Sequence, residues 1–174
     1  MQVQFRILDD NQIAAHNKAC AAMKIREYVQ NPPKTTQPYL AAMSFFNAWK
    51  EQDWSTVLRY SQPHWIKCTV LARTTHVHVI CKESAAILEK RLGGACTFNG
   101  YALQDWKEGP FSPYSLLVTA ELHDVYIGAM HHDVAYTTAH VQFEMGRWTV
   151  NPSGVMNITV PEGDADDSKY RAHI

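Results

Sequence analysis

The chain has 174 residues, with 16 lysines and arginines against 17 aspartates and glutamates, which gives a formal net charge of −1. This length predicts one domain, or a domain with an appendage, and an apolar content of 46% is typical of a folded chain. The balanced charge argues against nucleic acid or an anionic membrane as a partner, because both are bound through clustered lysines and arginines.

Neither a leader nor a membrane span is predicted. The first ten residues lack the basic and apolar regions of a signal peptide, and no apolar run reaches the ~18–20 residues that cross a bilayer. We therefore expect a cytoplasmic location. The cysteines are predicted to be reduced and mostly buried, with one disulfide or a reactive thiol as the less favoured alternatives, because no two of them form a C-x-x-C pair. They are Cys20, Cys68, Cys81 and Cys96.

Residues 1–37 are predicted to form an arm. Residues 3–7 alternate apolar and polar side chains, which indicates a short strand. Asp9 and Asp10 are candidate caps for a helix that runs to about Gln30, where a proline-containing connector ends it.

Two helices are predicted next. The first begins near Pro38 and carries a wide apolar face that reaches Trp49, so it should be well buried. Asp53 is the expected N-cap of a short second helix, which Pro63 ends.

The stretch 66–82 is ambiguous. Residues 69–72 and 75–81 have the composition of strands, and His76 and His78 would share one strand face. Ser84 is then predicted to cap a helix over 85–92, with Gly93-Gly94 as a left-handed stop.

The C-terminal half has the pattern of a β-meander. Long alternating segments are separated by turn residues such as Gly128-Ala129 and Gly146. Together with the preceding helices this predicts an α+β fold, in which a curved antiparallel sheet wraps around the N-terminal helices as a cone. The expected strands are 96–107, 115–127, 131–145, 147–150 and a last short one at 155–160, before a flexible acidic tail at 161–174.

Three segments carry a resemblance to a known superfamily. The stretch 39–54 contains the pattern F-x-x-A-W-x-x-x-D-W, and Gln62-Pro63-His64-Trp65 contains P-x-W. The segment 88–94, followed by 98–106, is similar to a last helix that enters a first long strand. Over residues 38–160 the chain therefore resembles the nuclear transport factor 2-like superfamily, the cystatin-like cone fold. The inserted stretch 66–82 departs from its simplest version.

The resemblance implies several classes of function. The superfamily includes ketosteroid isomerases, dehydratases and polyketide cyclases, and also transport adaptors, secretion-apparatus assembly domains and ligand-binding modules. Its enzymes place an Asp, His or Tyr inside the cone, where desolvation raises the pKa of a carboxyl group. The residues here that could play that part are Tyr101, Asp105, Asp124, Tyr136 and His140.

Two groups of histidines could in principle bind a metal. A two-residue hairpin turn would place Asp124 opposite Asp133 and on the same face as His131, a donor set that suits zinc, nickel or iron. His76 and His78 could chelate a metal from one strand face. We expect no metal and no other cofactor, because a polar hairpin tip and an outward strand face explain both groups.

The five tryptophans come from separate elements and would line one apolar pocket or one interface if they converge, although core packing is the simpler expectation. The favoured function is a non-enzymatic domain that binds a small apolar ligand or a protein partner and forms a homodimer through its sheet. The alternatives are an isomerase, dehydratase or cyclase with a His/Asp/Tyr pair in the cone, and a structural assembly component that docks through its arm. The predicted pocket residues are Trp49, Trp54, Trp65, Trp106 and Trp148.

Overall fold

The computed structural model describes residues 9–15, 37–62, 65, 77–110, 114–144 and 146–161, with backbone alone at 77–81. These residues form helices and one antiparallel sheet, which confirms the α+β class. The predicted strands at 3–7 and 69–72, the rest of the arm helix and the acidic tail lie outside the described residues.

A capping box begins the helical stretch at residues 10–15. The Gln12 amide donates to Asp9 Oδ1 over 2.8 Å, and the Asp9 amide donates to Gln12 Oε1 over 3.1 Å. The predicted cap at Asp9 is therefore confirmed.

Helices α1 (Gln37–Lys50) and α2 (Trp54–Arg59) form the predicted pair. The chain leaves α1 through a Schellman motif, in which the Asp53 amide donates to the Ala48 carbonyl and Gln52 adopts a φ of 57°. Asp53 then caps α2, since its carboxylate accepts from both the amide and the hydroxyl of Thr56. These bonds lower the pKa of Asp53, with the hydroxyl bond as the largest cause. Asp53 therefore takes part in both helix ends: its backbone amide closes the C-terminal motif of α1, and its carboxylate caps the N-terminus of α2.

The strand predicted at 75–81 is wrong over the described residues 77–81, which belong to helix α3 (Val77–Leu88). Its β-branched residues favour a strand locally, but the backbone is helical from Val77 onward and α3 packs against α2. Ser84 is therefore a buried residue inside a helix rather than a cap. A π-helical turn, Glu89–Gly93, continues α3, and Gly94 has a φ of −77° rather than the predicted left-handed conformation.

The sheet is an antiparallel meander with the order β1-β2-β3-β4. Gly128 has a φ of 62°, as a two-residue turn with glycine first requires, and the turn between β2 and β3 is the predicted one. The first strand begins four residues later than predicted, and the last predicted strand is a 3₁₀ turn (Gly154–Met156) followed by a single bridge from Thr159 to Tyr136. The strands are β1 (Gly100–Glu108), β2 (Ser115–Ile127), β3 (Met130–Glu144) and β4 (Arg147–Val150).

The core lies between α1 and one face of the sheet. Helix α1 contacts β1, β3 and β4, and its Phe45 and Phe46 are fully buried. The facing strand residues, such as Leu122 and Val141, are also fully buried. Burial of this apolar area is the main term that holds the helices on the sheet.

Within the described residues, no helix combines the length and the apolar character that crossing a membrane requires.

Candidate functional site

Two open clefts lie beside α1, and both reach Lys50 at its C-terminal end. The first has a volume of about 530 Å³ and separates α1 from β1. We call it the tyrosine cleft because Tyr101 lies in its wall. Its lining residues are Tyr39, Met43, Asn47, Lys50, Gly100, Tyr101, Ala102 and Leu103.

Tyr101, on the edge strand β1, forms hydrogen bonds with α1. Its hydroxyl lies 2.8 Å from Asn47 Oδ1 and 3.0 Å from the Met43 carbonyl oxygen, so its single O–H is shared between these two acceptors. Its ring packs against Phe46 and Phe98. Burial, and to a smaller extent the Tyr39 side chain, raises the pKa of Tyr101 to about 12, so the phenol stays protonated at neutral pH.

The second cleft, about 390 Å³ in volume, lies beside the β2–β3 hairpin, and we call it the hairpin cleft. Lys50 lines both clefts. Its ammonium lies 3.4 Å from a carboxylate oxygen of Glu51, whose side chain is 70% exposed, so this ion pair holds Lys50 only weakly. The other lining residues are Gln52, Thr97, Phe98, Asn99, Asp124, Tyr126 and His131.

The hairpin brings Asp124, His131 and Asp133 together, as the sequence predicts. Val125 pairs with His132, so Asp124 and Asp133 are neighbours across the two strands. His131 Nε2 lies 3.4 Å from Asp124 Oδ1, and His131 Nδ1 lies 4.0 Å from Asp133 Oδ1. One donor atom from each of the three residues can be chosen so that all lie within 4.8 Å of one another.

The backbone at Asp124 explains why this group is exposed. Leu122 and Val125 are both fully buried although they are three residues apart, whereas strict alternation would put them on opposite faces. Asp124 adopts a φ of 50° between them, which shifts the alternation and turns its own side chain outward. Aspartate tolerates this left-handed conformation better than most residues do.

The other candidate acid–base residues lie apart from a buried interior. Asp105 is exposed at a β-bulge in β1, with a φ of 54°. Tyr136 and His140 alternate with the buried Thr137 and Ala139, so they lie on the opposite face of the sheet and are half-buried there. Partial burial lowers the pKa of His140.

The part of the interior that the structure describes offers few groups for acid–base chemistry. Among the described residues no Asp, Glu, Lys or Arg is buried, and His132 is the one ionisable side chain of the buried polar group. The buried thiol of Cys96 has its pKa raised to about 12 by desolvation, which makes it a poor nucleophile.

Four of the five tryptophans are buried in the one hydrophobic core, and Trp54 packs against that core while half-buried. Trp49 packs against Phe46 and Phe98, Trp106 lies against Tyr39, and Trp148 lies against Phe143. Trp65 is 7% exposed, and Trp54 packs beside Gly93. Neither of the two clefts is lined by a tryptophan.

The residues that line the tyrosine cleft from α1 were not singled out from the sequence. Tyr39, Met43 and Asn47 recur every four residues, and Lys50 follows three later, so they form one stripe beside the buried face of α1. The signal available in the sequence was the presence of Asn47 and Lys50 in an otherwise apolar helix.

Comparison with known proteins adds no relative: no family model, no curated protein and no solved structure matches the chain. The resemblance to the nuclear transport factor 2-like superfamily therefore stays a prediction that rests on the residue pattern.

Proposed function

We propose that the chain is a ligand-binding domain of the nuclear transport factor 2-like type, with the tyrosine cleft as its binding site. The observation that carries this proposal is a cleft of about 530 Å³ with an apolar wall and polar groups on α1. Small-molecule sites have volumes of about 300–1,000 Å³ and combine apolar walls with a few polar groups.

The chemistry of the lining suggests the ligand class. Tyr39, Met43 and Leu103 offer apolar surface, and Lys50 supplies a cation that no buried carboxylate neutralises among the described residues. A small molecule with an apolar body and a carboxylate would satisfy both features, because a charge-assisted hydrogen bond to Lys50 would fix its orientation.

The cone shape is part of the same proposal. Strands β2 and β3 have 13 and 15 residues, and long strands of this kind twist and bend. The bulge at Asp105 and the left-handed residue at Asp124 are places where the sheet can curve around α1.

An acid–base enzyme is less well supported. Isomerases and dehydratases of this superfamily need a desolvated acid or base, whereas Tyr136 and His140 lie on the face opposite the core and Asp105 is exposed. Tyr101 is placed to donate a hydrogen bond, but its neighbours on α1 already accept that bond.

Ligand binding can be tested by titrating the full chain with decanoate and with decanol, followed by calorimetry and thermal unfolding. We expect decanoate to bind more tightly, and Lys50→Met to remove that preference while leaving weak binding of both. Lys90→Met is the matched control, since Lys90 is exposed on the π-helical turn and lines neither cleft. Equal binding of the two probes by the unaltered chain, or no binding of either, would contradict the proposal.

We also propose that two copies pair through the sheet face opposite the core. Leu117, Val134 and Tyr136 are half-buried on that face in a single chain, and a partner would cover them further. Light scattering should give twice the mass of one chain, and Leu117→Glu should return it to the mass of a monomer. A monomer at every concentration of the unaltered chain would refute the pairing.

A further inference from the structure

We propose that Asp124, His131 and Asp133 bind a divalent transition-metal ion, with Zn²⁺ as the best match, at the rim of the hairpin cleft. The site is independent of the ligand proposed for the tyrosine cleft. It combines one imidazole nitrogen with two carboxylates, a donor set that zinc accepts.

The interatomic distances favour metal ligands over a hydrogen-bonded triad. The separation of 3.4 Å between His131 Nε2 and Asp124 Oδ1 is longer than the usual 2.7–3.2 Å of an N–H···O hydrogen bond. Two donors at about 2.0–2.1 Å from a tetrahedral zinc ion lie about 3.3 Å apart, which is close to the observed value. The pair is thus already spaced as two ligands of one ion.

Asp133 can complete the site by a side-chain rotation. Its side chain is 82% exposed, so rotation meets little packing, and its carboxylate already lies within 4.8 Å of the donors of the other two residues. This third ligand would leave one tetrahedral position to water or a small molecule. Because Asp124 and His131 line the hairpin cleft, that position would be accessible from the cleft.

The two negative charges of the hairpin also favour a bound cation. Asp124 and Asp133 face each other across the strands, and like charges directly opposite one another destabilise a strand pair. A bound cation would neutralise both.

The scaffold holds the His131 imidazole and the backbone of Asp124 in place before any ion binds. The two-residue turn fixes the register of β2 against β3, and the Tyr126 ring packs edge-on against the His131 imidazole with centroids 5.0 Å apart. Rigid positioning of ligands reduces the entropy cost of binding. Asp124 keeps its exposed position because of its left-handed backbone, a conformation that costs free energy and that serves no buried contact of its own side chain.

The experiment is a titration of the chelator-treated full chain with Zn²⁺ by calorimetry, together with Co²⁺ absorption spectroscopy to report ligand number. We expect one equivalent to bind, the thermal midpoint to rise, and Asp124→Asn, Asp133→Asn and His131→Gln each to weaken affinity at least tenfold. Tetrahedral or five-coordinate Co²⁺ bands should appear with the unaltered chain and disappear with His131→Gln.

Two controls match the variants in chemistry and backbone. Asp105→Asn makes the same substitution at another exposed strand residue with a left-handed backbone. His123→Gln alters a histidine of β2 whose ring is hydrogen-bonded to Glu121. Both should bind Zn²⁺ as the unaltered chain does. Zinc binding that survives His131→Gln, an equal loss in Asp105→Asn, or no binding by the folded unaltered chain would each overturn the proposal.

Discussion

The hydroxyl of Tyr101 provides a direct test of how the tyrosine cleft is held together. Tyr101→Phe removes the bonds to the Met43 carbonyl and to Asn47 Oδ1 and leaves the ring contacts with Phe46 and Phe98 in place. The change therefore isolates the link between β1 and α1.

The expected loss in the free energy of unfolding is small. The Met43 carbonyl lies inside α1, where the helical hydrogen bond still satisfies it, so no buried acceptor is orphaned. One net hydrogen bond contributes about 0.5–1.5 kcal/mol, and water can replace the exposed bond to Asn47. We expect Tyr101→Phe to lower the free energy of unfolding by about 1 kcal/mol, which shifts the thermal midpoint of a chain of this size by about 2–4 °C.

The assay is urea and thermal unfolding of the unaltered chain, Tyr101→Phe and Tyr136→Phe. Tyr136 is the matched control, because it is half-buried on the other face of the sheet and its hydroxyl makes no hydrogen bond within the described structure. Equal stability of the two variants would refute the assigned role of the Tyr101 hydroxyl.

Alkaline pH gives a second measurement on the same residue. In the folded chain the pKa of Tyr101, about 12, lies above the ordinary tyrosine value of 10.0. This group's contribution to stability is therefore complete below pH 10.0 and is lost as pH rises toward 12. Tyr101→Phe should reduce the alkaline loss of stability, whereas an unchanged pH profile would contradict the desolvation of this phenol.

Three further outcomes are expected. Gly109→Ala should lower the free energy of unfolding by about 1–3 kcal/mol in denaturant, since its Cβ would meet the Ser115 side chain and lie 3.0 Å from the Ser115 carbonyl carbon. Gly94→Ala, whose Cβ would have no atom within 4 Å beyond the adjoining backbone, should be neutral or mildly stabilising, and equal effects of the two variants would refute this steric account. Because the pKa of His140 is lowered in the folded chain, the unfolded chain takes up the proton first, and the free energy of unfolding should fall as pH drops below 6.5. His140→Gln should reduce that fall, and an unaltered acid profile in this variant would contradict the desolvation of His140. Leu122→Ala should cost about 2–5 kcal/mol because its side chain is fully buried, and a cost below 1 kcal/mol would show that the site is not core.

Features that depend on residues close together in the sequence were predicted correctly. The Asp53 cap, the start of the helix near Pro38 and the turn at Gly128 were all predictable, because each depends on residues within a few positions of one another. The meeting of Asp124, His131 and Asp133 follows from that turn, since a two-residue loop fixes which residues face each other.

Other features depended on distant parts of the chain. The segment from Val77 is helical despite its strand composition, and it packs against α2. Trp49, Trp106 and Trp148 are buried in the one core, each against different aromatic neighbours. Neither outcome can be obtained from a periodic pattern, because the pattern does not specify which partner covers each face.

The sequence by itself determined the α+β class, the caps at Asp9 and Asp53, the antiparallel meander and the composition of the hairpin cluster. All of these depend on short-range stereochemistry and hydrophobic periodicity. Only the tertiary structure decided which ionisable groups lie near a cleft. Tyr101 reaches α1 because β1 lies beside that helix, and Asp124 turns outward because a left-handed residue interrupts the alternation of β2. The reason is that the exposure of a side chain depends on the elements that pack around it. A single shift in strand alternation is enough to reverse which side chains are exposed to water.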